Sequence, residues 1–228
     1  MLQTLRQLKR WVGTLAQPGT APSLFGATGK KSRSAAALLH IPTSDGSGEA
    51  CHPSAVHIPN GFAGYRFWMV NTPYPENAHK LENPELFGSN DGVFWEVPVG
   101  IQNPLVSAPD GDERHYNSDP CLLHHEDRLL LYFRTSDEES GPRRDWISMM
   151  TSSNGRDWSE PRPVVNDATG RLLLCPTVRA INGKFLMWTV ENAGSPLLTI
   201  CRRTSADGVN WTTPEPTELL WSHYPLEP

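Results

Sequence analysis

The sequence predicts an all-β fold, a β-propeller of four-stranded antiparallel blades, and three observations carry that prediction. One turn motif recurs as Ser89-Asn90-Asp91-Gly92-Val93-Phe94-Trp95, Ser152-Ser153-Asn154-Gly155-Arg156-Asp157-Trp158 and Ser205-Ala206-Asp207-Gly208-Val209-Asn210-Trp211, its serines 63 and then 53 residues apart. Upstream of each copy a proline opens one strand-like run and an aromatic-rich run follows it: Pro53 then Tyr65–Val70, Pro120 then Leu129–Phe133, Pro176 then Lys184–Trp188. Finally, 21 Pro and 18 Gly in 228 residues suit short strands and many turns, because long helices tolerate neither.

The elements follow in chain order. Leu2, Leu5, Leu8, Trp11, Val12 and Leu15 recur at three- and four-residue intervals and Pro18 stops the pattern, which predicts a short amphipathic helix over 1–17. Residues 18–48 are rich in Gly, Ser, Thr, Ala and Pro and read as a flexible linker. Within it, Gly26-Ala27-Thr28-Gly29-Lys30-Lys31 is not a phosphate loop, since Leu24 stands where the first Gly belongs and no strand precedes it. The propeller domain is expected over 49–228, with blades at about 50–100, 115–165 and 172–218. Trp221-Ser222-His223-Tyr224-Pro225 reads as the start of a fourth blade over 221–228, and the expectation is a truncated propeller, because a ring needs at least about four blades.

Each turn motif has a local reason. The Asp or Asn side chain folds onto backbone amides, Gly supplies the positive φ, and Trp fills the gap between neighbouring sheets. The turns are therefore structural. Antiparallel strands alternate direction, so the starts of the inner strands (His52, Asp119, Cys175) and the loops 72–82, 136–145 and 191–196 are expected on one end, where propellers open a funnel, and the turns on the other.

Composition narrows the ligand. A formal charge of −5 and a pI near 5.9 argue against nucleic acid, which demands a basic face. No apolar run is long enough to span a membrane. The N-terminus carries Arg6, Lys9 and Arg10 inside its apolar pattern and does not read as a secretory signal, which leaves a cytoplasmic or virion-associated location. Cys51, Cys121, Cys175 and Cys201 are widely spaced, show no CxxC pair and read as free thiols. No cofactor is expected; Asp137-Glu138-Glu139 is weighed as a calcium loop and set aside, because consecutive acids rarely point the same way.

The blade pattern, together with His52-Pro53-Ser54, Asn60–Tyr65, Thr72-Pro73-Tyr74-Pro75, Glu82-Asn83-Pro84 and His115-Tyr116-Asn117-Ser118-Asp119-Pro120, resembles the five-bladed propellers of glycoside hydrolase families 43 and 32, and more so their uncharacterised branch in bacteria and phages. The resemblance covers about residues 50–228. It implies hydrolysis of glycosidic bonds by paired carboxylates, one donating a proton and the other attacking or activating water. Carried over by position, it makes Asp119 the first catalytic candidate. Its departures are His52 where the family's first Asp belongs and Cys175 where an acidic residue is common nearby. Glu191, at the end of a second strand on the funnel side, is the second catalytic candidate, with Glu76 and Glu82 as further acids.

Tyr74, Tyr116, Asn117, Arg143 and Trp146, with His52 and Glu82, are the expected substrate-binding residues, and Arg144 falls beside them. Aromatic rings stack on sugar faces while amides and guanidiniums take hydroxyls. The partner expected is a glycan, with self-association through the helix or the incomplete ring left open. The rival expectation is a non-catalytic glycan-binding or structural propeller of a phage particle or bacterial surface.

Overall fold

A computed structural model describes residues 39–108, 114–138, 142–166, 172–192 and 198–217. The expected N-terminal helix, most of the linker and the fourth-blade entry lie outside the described residues. Among the described residues eleven strands form three antiparallel sheets in chain order: β1 (Ala50–Phe62), β2 (Tyr65–Pro73) and β3 (Glu85–Ser89); β4 (His115–His125), β5 (Arg128–Asp137), β6 (Arg144–Ser152) and β7 (Arg162–Asn166); β8 (Leu173–Ile181), β9 (Lys184–Glu191), β10 (Thr199–Ser205) and β11 (Glu215–Pro216). Every strand pairs with its sequence neighbour, which is the meander of a propeller blade.

The second and third sheets have the four strands predicted. The first has three, and its fourth is reduced to a single bridge between Gly88 and Glu96. Pro98 lacks a donor for the ladder and Gly100 takes φ +86°, so the chain leaves the sheet after one pair. The tightest connections are hairpins in which two successive residues take positive φ: Ala63-Gly64, Glu126-Asp127 and Asn182-Gly183. That is the turn whose twist matches the flanking strands.

The Ser-x-Asp/Asn-Gly motif behaves as its chemistry predicts. Ser89 Oγ accepts from the amides of Asp91 and Gly92, and Asp91 Oδ1 accepts from Val93 and Phe94 at 2.8 and 2.9 Å. Ser205 and Asp207 repeat this around Gly208, and Asn154 Oδ1 takes the amides of Arg156 and Asp157. These backbone donors hold the Asp207 carboxyl well below the usual carboxylate range.

Buried residues on facing sides of neighbouring sheets build the core between blades. Trp68, Val70 and Leu86 of the first sheet meet Leu122, Leu129, Leu131 and Phe133 of the second, with Trp158 at the margin. Cys121, Leu130, Tyr132 and Ile147 of the second meet Val178, Phe185 and Met187 of the third, with Trp211 at the margin. Two of the motif tryptophans thus fill inter-blade gaps, while Trp95 packs beside Ile41, Met69 and Phe87. Ile41 is buried there, so the end of the expected linker is packed against the first sheet.

Backbone amides stitch one blade to the next at repeated positions. The residue after the strand-opening proline accepts an N–H from the following blade: Ser54 Oγ from Leu122 at 2.9 Å, and Cys121 Sγ from Val178 at 3.2 Å. All four cysteines are thiols rather than disulfides, with Cys121 and Cys201 buried and Cys175 exposed.

Candidate functional site

The site begins with a backbone irregularity repeated in each blade. The inner strand is interrupted by a bulge between Cys51 and Ser54, between Ser118 and Cys121, and between Leu174 and Thr177. Inside each bulge the residue before proline sits in the left-handed region: His52 at φ 51°, Asp119 at 52° and Cys175 at 51°. Non-glycine residues rarely adopt this conformation, and a residue before proline is restricted further. Bulges re-aim a side chain. The three blades therefore present one residue each, by the same device, at matching positions of their inner strands.

These residues meet across blades. His52 Nε2 stands 3.3 Å from Asp119 Oδ1. The other Asp119 oxygen accepts from Arg134 Nε at 2.9 Å and from the Cys175 amide at 3.0 Å. One carboxylate thus links all three bulges, its second oxygen anchored and its first turned to the imidazole. On the far side of the ring, His52 Nδ1 lies 3.3 Å from Thr72 Oγ1 and 3.7 Å from Glu82 Oε2. Glu82 is buried, and its Oε1 is 2.7 Å from His79 Nδ1. The Cys51 side chain foremost, then the Asp119 and Glu82 carboxylates, raise the His52 pKa above its ordinary value against the opposing effect of burial.

Arg134 is the hub of this cluster. Besides Asp119 it donates to Ser118 Oγ at 2.6 Å and reaches Asp145 Oδ1 at 3.5 Å. Burial opposes its charge, but Asp119 first among its neighbours keeps it protonated. Its guanidinium carbon lies 5.3 Å above the Tyr116 ring centre, and Tyr116 stacks on His79 at 5.0 Å. Arg143 Nε holds Asp145 Oδ2 at 3.2 Å, Arg143 Nη1 holds Glu138 at 3.2 Å, and Arg144 holds Asp137 at 2.8 Å. The Cys175 residue is exposed, yet protein crowding its sulfur and then the Asp119 carboxylate push its thiol up to about 11.

The structure brings His52, Asp119, Glu82 and Tyr116 into one connected cluster. Tyr74 joins through His79, with ring centres 5.3 Å apart. Asn117 is buried and occupied, donating to Asn83 Oδ1 at 3.0 Å and accepting from Thr135 Oγ1 at 2.8 Å. Trp146 is half-buried on β6 with His115 against its edge, in register with Thr135. Glu191 stands elsewhere: it is fully buried, takes hydrogen bonds from Arg203 and from Thr189 Oγ1, and has one oxygen with no hydrogen-bond partner among the described residues. His79, Thr72, Ser118, Arg134 and Asp145 are the members that sequence reasoning passed over. Among the described residues no group of three His, Cys, Asp or Glu side chains is placed to hold a metal ion.

Comparison with known proteins agrees with this architecture. The chain is 30% identical over 131 residues to the A type blood N-acetyl-α-D-galactosamine deacetylase of Flavonifractor plautii, a match covering 57% of this chain and 17% of that protein. The structure of an N-acetylgalactosamine deacetylase from F. plautii in complex with blood group B trisaccharide superposes with a TM-score of 0.68 at 22% identity, over 75% of this chain and 54% of that one. The α-L-arabinanase of Penicillium chrysogenum, complexed with arabinobiose, superposes with a TM-score of 0.57 at 16% identity, over 78% and 52%. Sucrose-6-phosphate hydrolase of Lactobacillus gasseri gives 0.55 at 16%, over 72% and 33%. No family model matches the chain. The fold is that of the propeller glycosidases of families 43, 93 and 32. The chain spans about half the length, or less, of each of these proteins.

Proposed function

We propose that this chain is a carbohydrate-active propeller unit that binds a glycan at its funnel end, and that its chemistry is hydrolytic with His52 and Asp119 as the working pair. The observation that carries this reading is the His52–Asp119 contact at 3.3 Å across two blades, with the second Asp119 oxygen fixed by Arg134 and the Cys175 amide. An imidazole held by a carboxylate has one tautomer favoured and a proton to give or take near neutral pH. Half-exposed His52 offers that proton to a ligand in the funnel, and the Tyr74, His79 and Tyr116 rings offer a stacking wall beside it. Paired-carboxylate hydrolysis by Asp119 and Glu191 asks more of the molecule, because Glu191 must leave Arg203 and emerge from full burial to reach a sugar. The relatives named for a deacetylase, an arabinanase and a sucrose-phosphate hydrolase support a sugar as the ligand class and leave the bond open.

The test is a glycan panel assayed for both binding and turnover with the wild type, Asp119→Asn and His52→Ala. Loss of turnover with binding retained in Asp119→Asn supports the hydrolytic reading. Binding without turnover in the wild type supports a second reading, a non-catalytic glycan-binding propeller. That alternative is favoured by the Arg134 ion pair, which neutralises the carboxylate a nucleophile or base would need.

A further inference from the structure

We infer that the seam between the first and second blades is an acid-labile joint and that His124 is the group that releases it. Successive residues of a strand face opposite sides of its sheet. At the turn end of β4 this sends His124 toward the first blade and His125 toward the third. The His124 ring meets Phe62 edge to face with centres 5.2 Å apart, and the His125 ring meets Phe185 at 4.9 Å. The two contacts differ in what they offer a charge. His125 Nε2 has the Glu126 carboxylate 3.7 Å away. His124 Nε2 is shut off from water and has no hydrogen-bond partner among the described residues. An imidazolium at that place holds an unpaired N–H in the seam, which costs free energy that the neutral ring does not.

The same seam carries a second unsatisfied nitrogen. Trp95 and Trp211 each donate Nε1 to the carbonyl of their motif glycine, at 3.2 and 3.1 Å, whereas Trp158 Nε1 is buried without a partner among the described residues. A cleft of about 280 Å³ opens between these two blades at the turn end, walled by Gly64, Tyr65 and Trp68 on one side and Asn154, Gly155 and Arg156 on the other, so water stands at the margin of the seam. On its own hairpin the charged groups acting on His124 are Asp127 and His125; across the seam it meets the uncharged Phe62 ring. Burial first lowers the His124 pKa below the ordinary 6.5; Asp127 opposes this and His125 adds to it. The open seam therefore takes a proton as pH falls through about 6.5 and the closed seam does not, so its stability is full above that value and is lost on acidification. His52, whose pKa is raised, holds Asp119 across the same two blades at the funnel end and acts with the opposite sign. Acid loosens the joint at one end and tightens it at the other.

Native-state hydrogen exchange of the full chain at pH 7 and pH 5, with rates corrected for the intrinsic pH dependence of exchange, is the test. Two amides serve as paired probes: Leu122, bonded to Ser54 Oγ across this seam, and Val178, bonded to Cys121 Sγ across the next. One proton taken up on opening changes the opening constant by at most about tenfold per pH unit, so a several-fold loss of protection at Leu122 is expected at pH 5, with little change at Val178. Two variants report on His124 itself. His124→Ala takes the residue type of Ala180, which stands at the matching place of the third blade and packs in the second seam, and His124→Gln keeps a polar side chain that does not titrate. In each, Leu122 protection should stay flat or rise on acidification, the His52 trend being the one left. Unchanged protection of Leu122 in the wild type, equal losses at Leu122 and Val178, or a loss that persists in both variants overturns the inference.

Discussion

The two ends of each blade repeat different things. At the turn end the side chains recur: Ser, Asp or Asn, Gly and Trp stand at matching places in the three motifs, with the same side-chain-to-amide hydrogen bonds. At the funnel end the backbone recurs and the side chains do not. Three bulges and three left-handed residues before proline present an imidazole, a carboxylate and a thiol. A site that must only close a hairpin keeps its residue types, because the turn chemistry is satisfied by few of them. On the proposed function, the other end meets a ligand, and such a site keeps its geometry while varying the group it aims.

The sharpest way to break this contrast is at Arg134. Arg134→Ala leaves Asp119 buried without its arginine and Asp145 with Arg143 alone, and a loss of about 3–5 kcal/mol in unfolding free energy is expected from urea denaturation. Arg203→Ala is expected to cost a comparable amount through Glu191. The two diverge in ligand binding: Arg134→Ala abolishes it, whereas Arg203→Ala in its folded fraction retains it, because the Glu191 pair does not touch His52 or Asp119. Equal effects on binding would place Glu191 in the site after all.

The turn end is tested at Gly155. It takes φ +70°, and an added Cβ would lie 2.5 Å from the Trp68 ring of the neighbouring blade. Gly155→Ala combines a strained backbone with overpacking and should cost about 1–3 kcal/mol, read as a lower urea midpoint at unchanged slope. Gly208→Ala, where the Cβ would meet the Tyr132 hydroxyl at 2.7 Å, is the matching change one blade on. Neither should alter ligand affinity in the folded fraction.

This contrast also explains what was legible in the sequence. The turn end was readable because its chemistry is local: each motif satisfies its own amides within four residues. The strand-opening prolines were readable for the same reason, and they led to His52, Asp119 and Cys175. The partners of those residues were not. Arg134 reaches Asp119 through β4–β5 pairing whose register shifts at the bulge, and Asp145 comes from a third strand. His79 is three residues before Glu82, a spacing that a single 3-10 turn brings together. Glu191 reads as a catalytic candidate because it ends β9, while its enclosure depends on Arg203 in β10. The missing fourth strand of the first blade had a signal in Pro98, which removes a ladder donor.

A smaller effect tests whether the funnel residues hold their conformation at a cost. Cys175 sits at φ 51°, so Cys175→Gly should stabilise the fold by about 0.5–1 kcal/mol through relief of backbone strain. His52→Gly relieves the same strain but discards the contacts with Asp119, Thr72 and Glu82, and should not stabilise. The His52 contribution has a defined pH window. Its folded-state pKa lies above 6.5, so the stability it adds is fully present below about 6.5 and is lost as pH rises through the raised value. The difference in unfolding free energy between the wild type and His52→Ala should shrink over that interval, whereas the turn-end variants show no such trend.

The finest distinction concerns the thiol. Cys175 is exposed, which alone would make it the fastest-labelling cysteine, but its pKa near 11 against an ordinary 9.0 leaves about a hundredfold less thiolate at neutral pH. Native-state alkylation of Cys175 should therefore be slow at pH 7 and climb with pH well past the point where an ordinary cysteine has levelled off. In Asp119→Asn one of the two causes of that shift is removed, and labelling should start at lower pH. Fast labelling at pH 7 in the wild type would mean that the third bulge aims a thiolate into the funnel, and the site would then carry a nucleophile as well as an imidazole and a carboxylate.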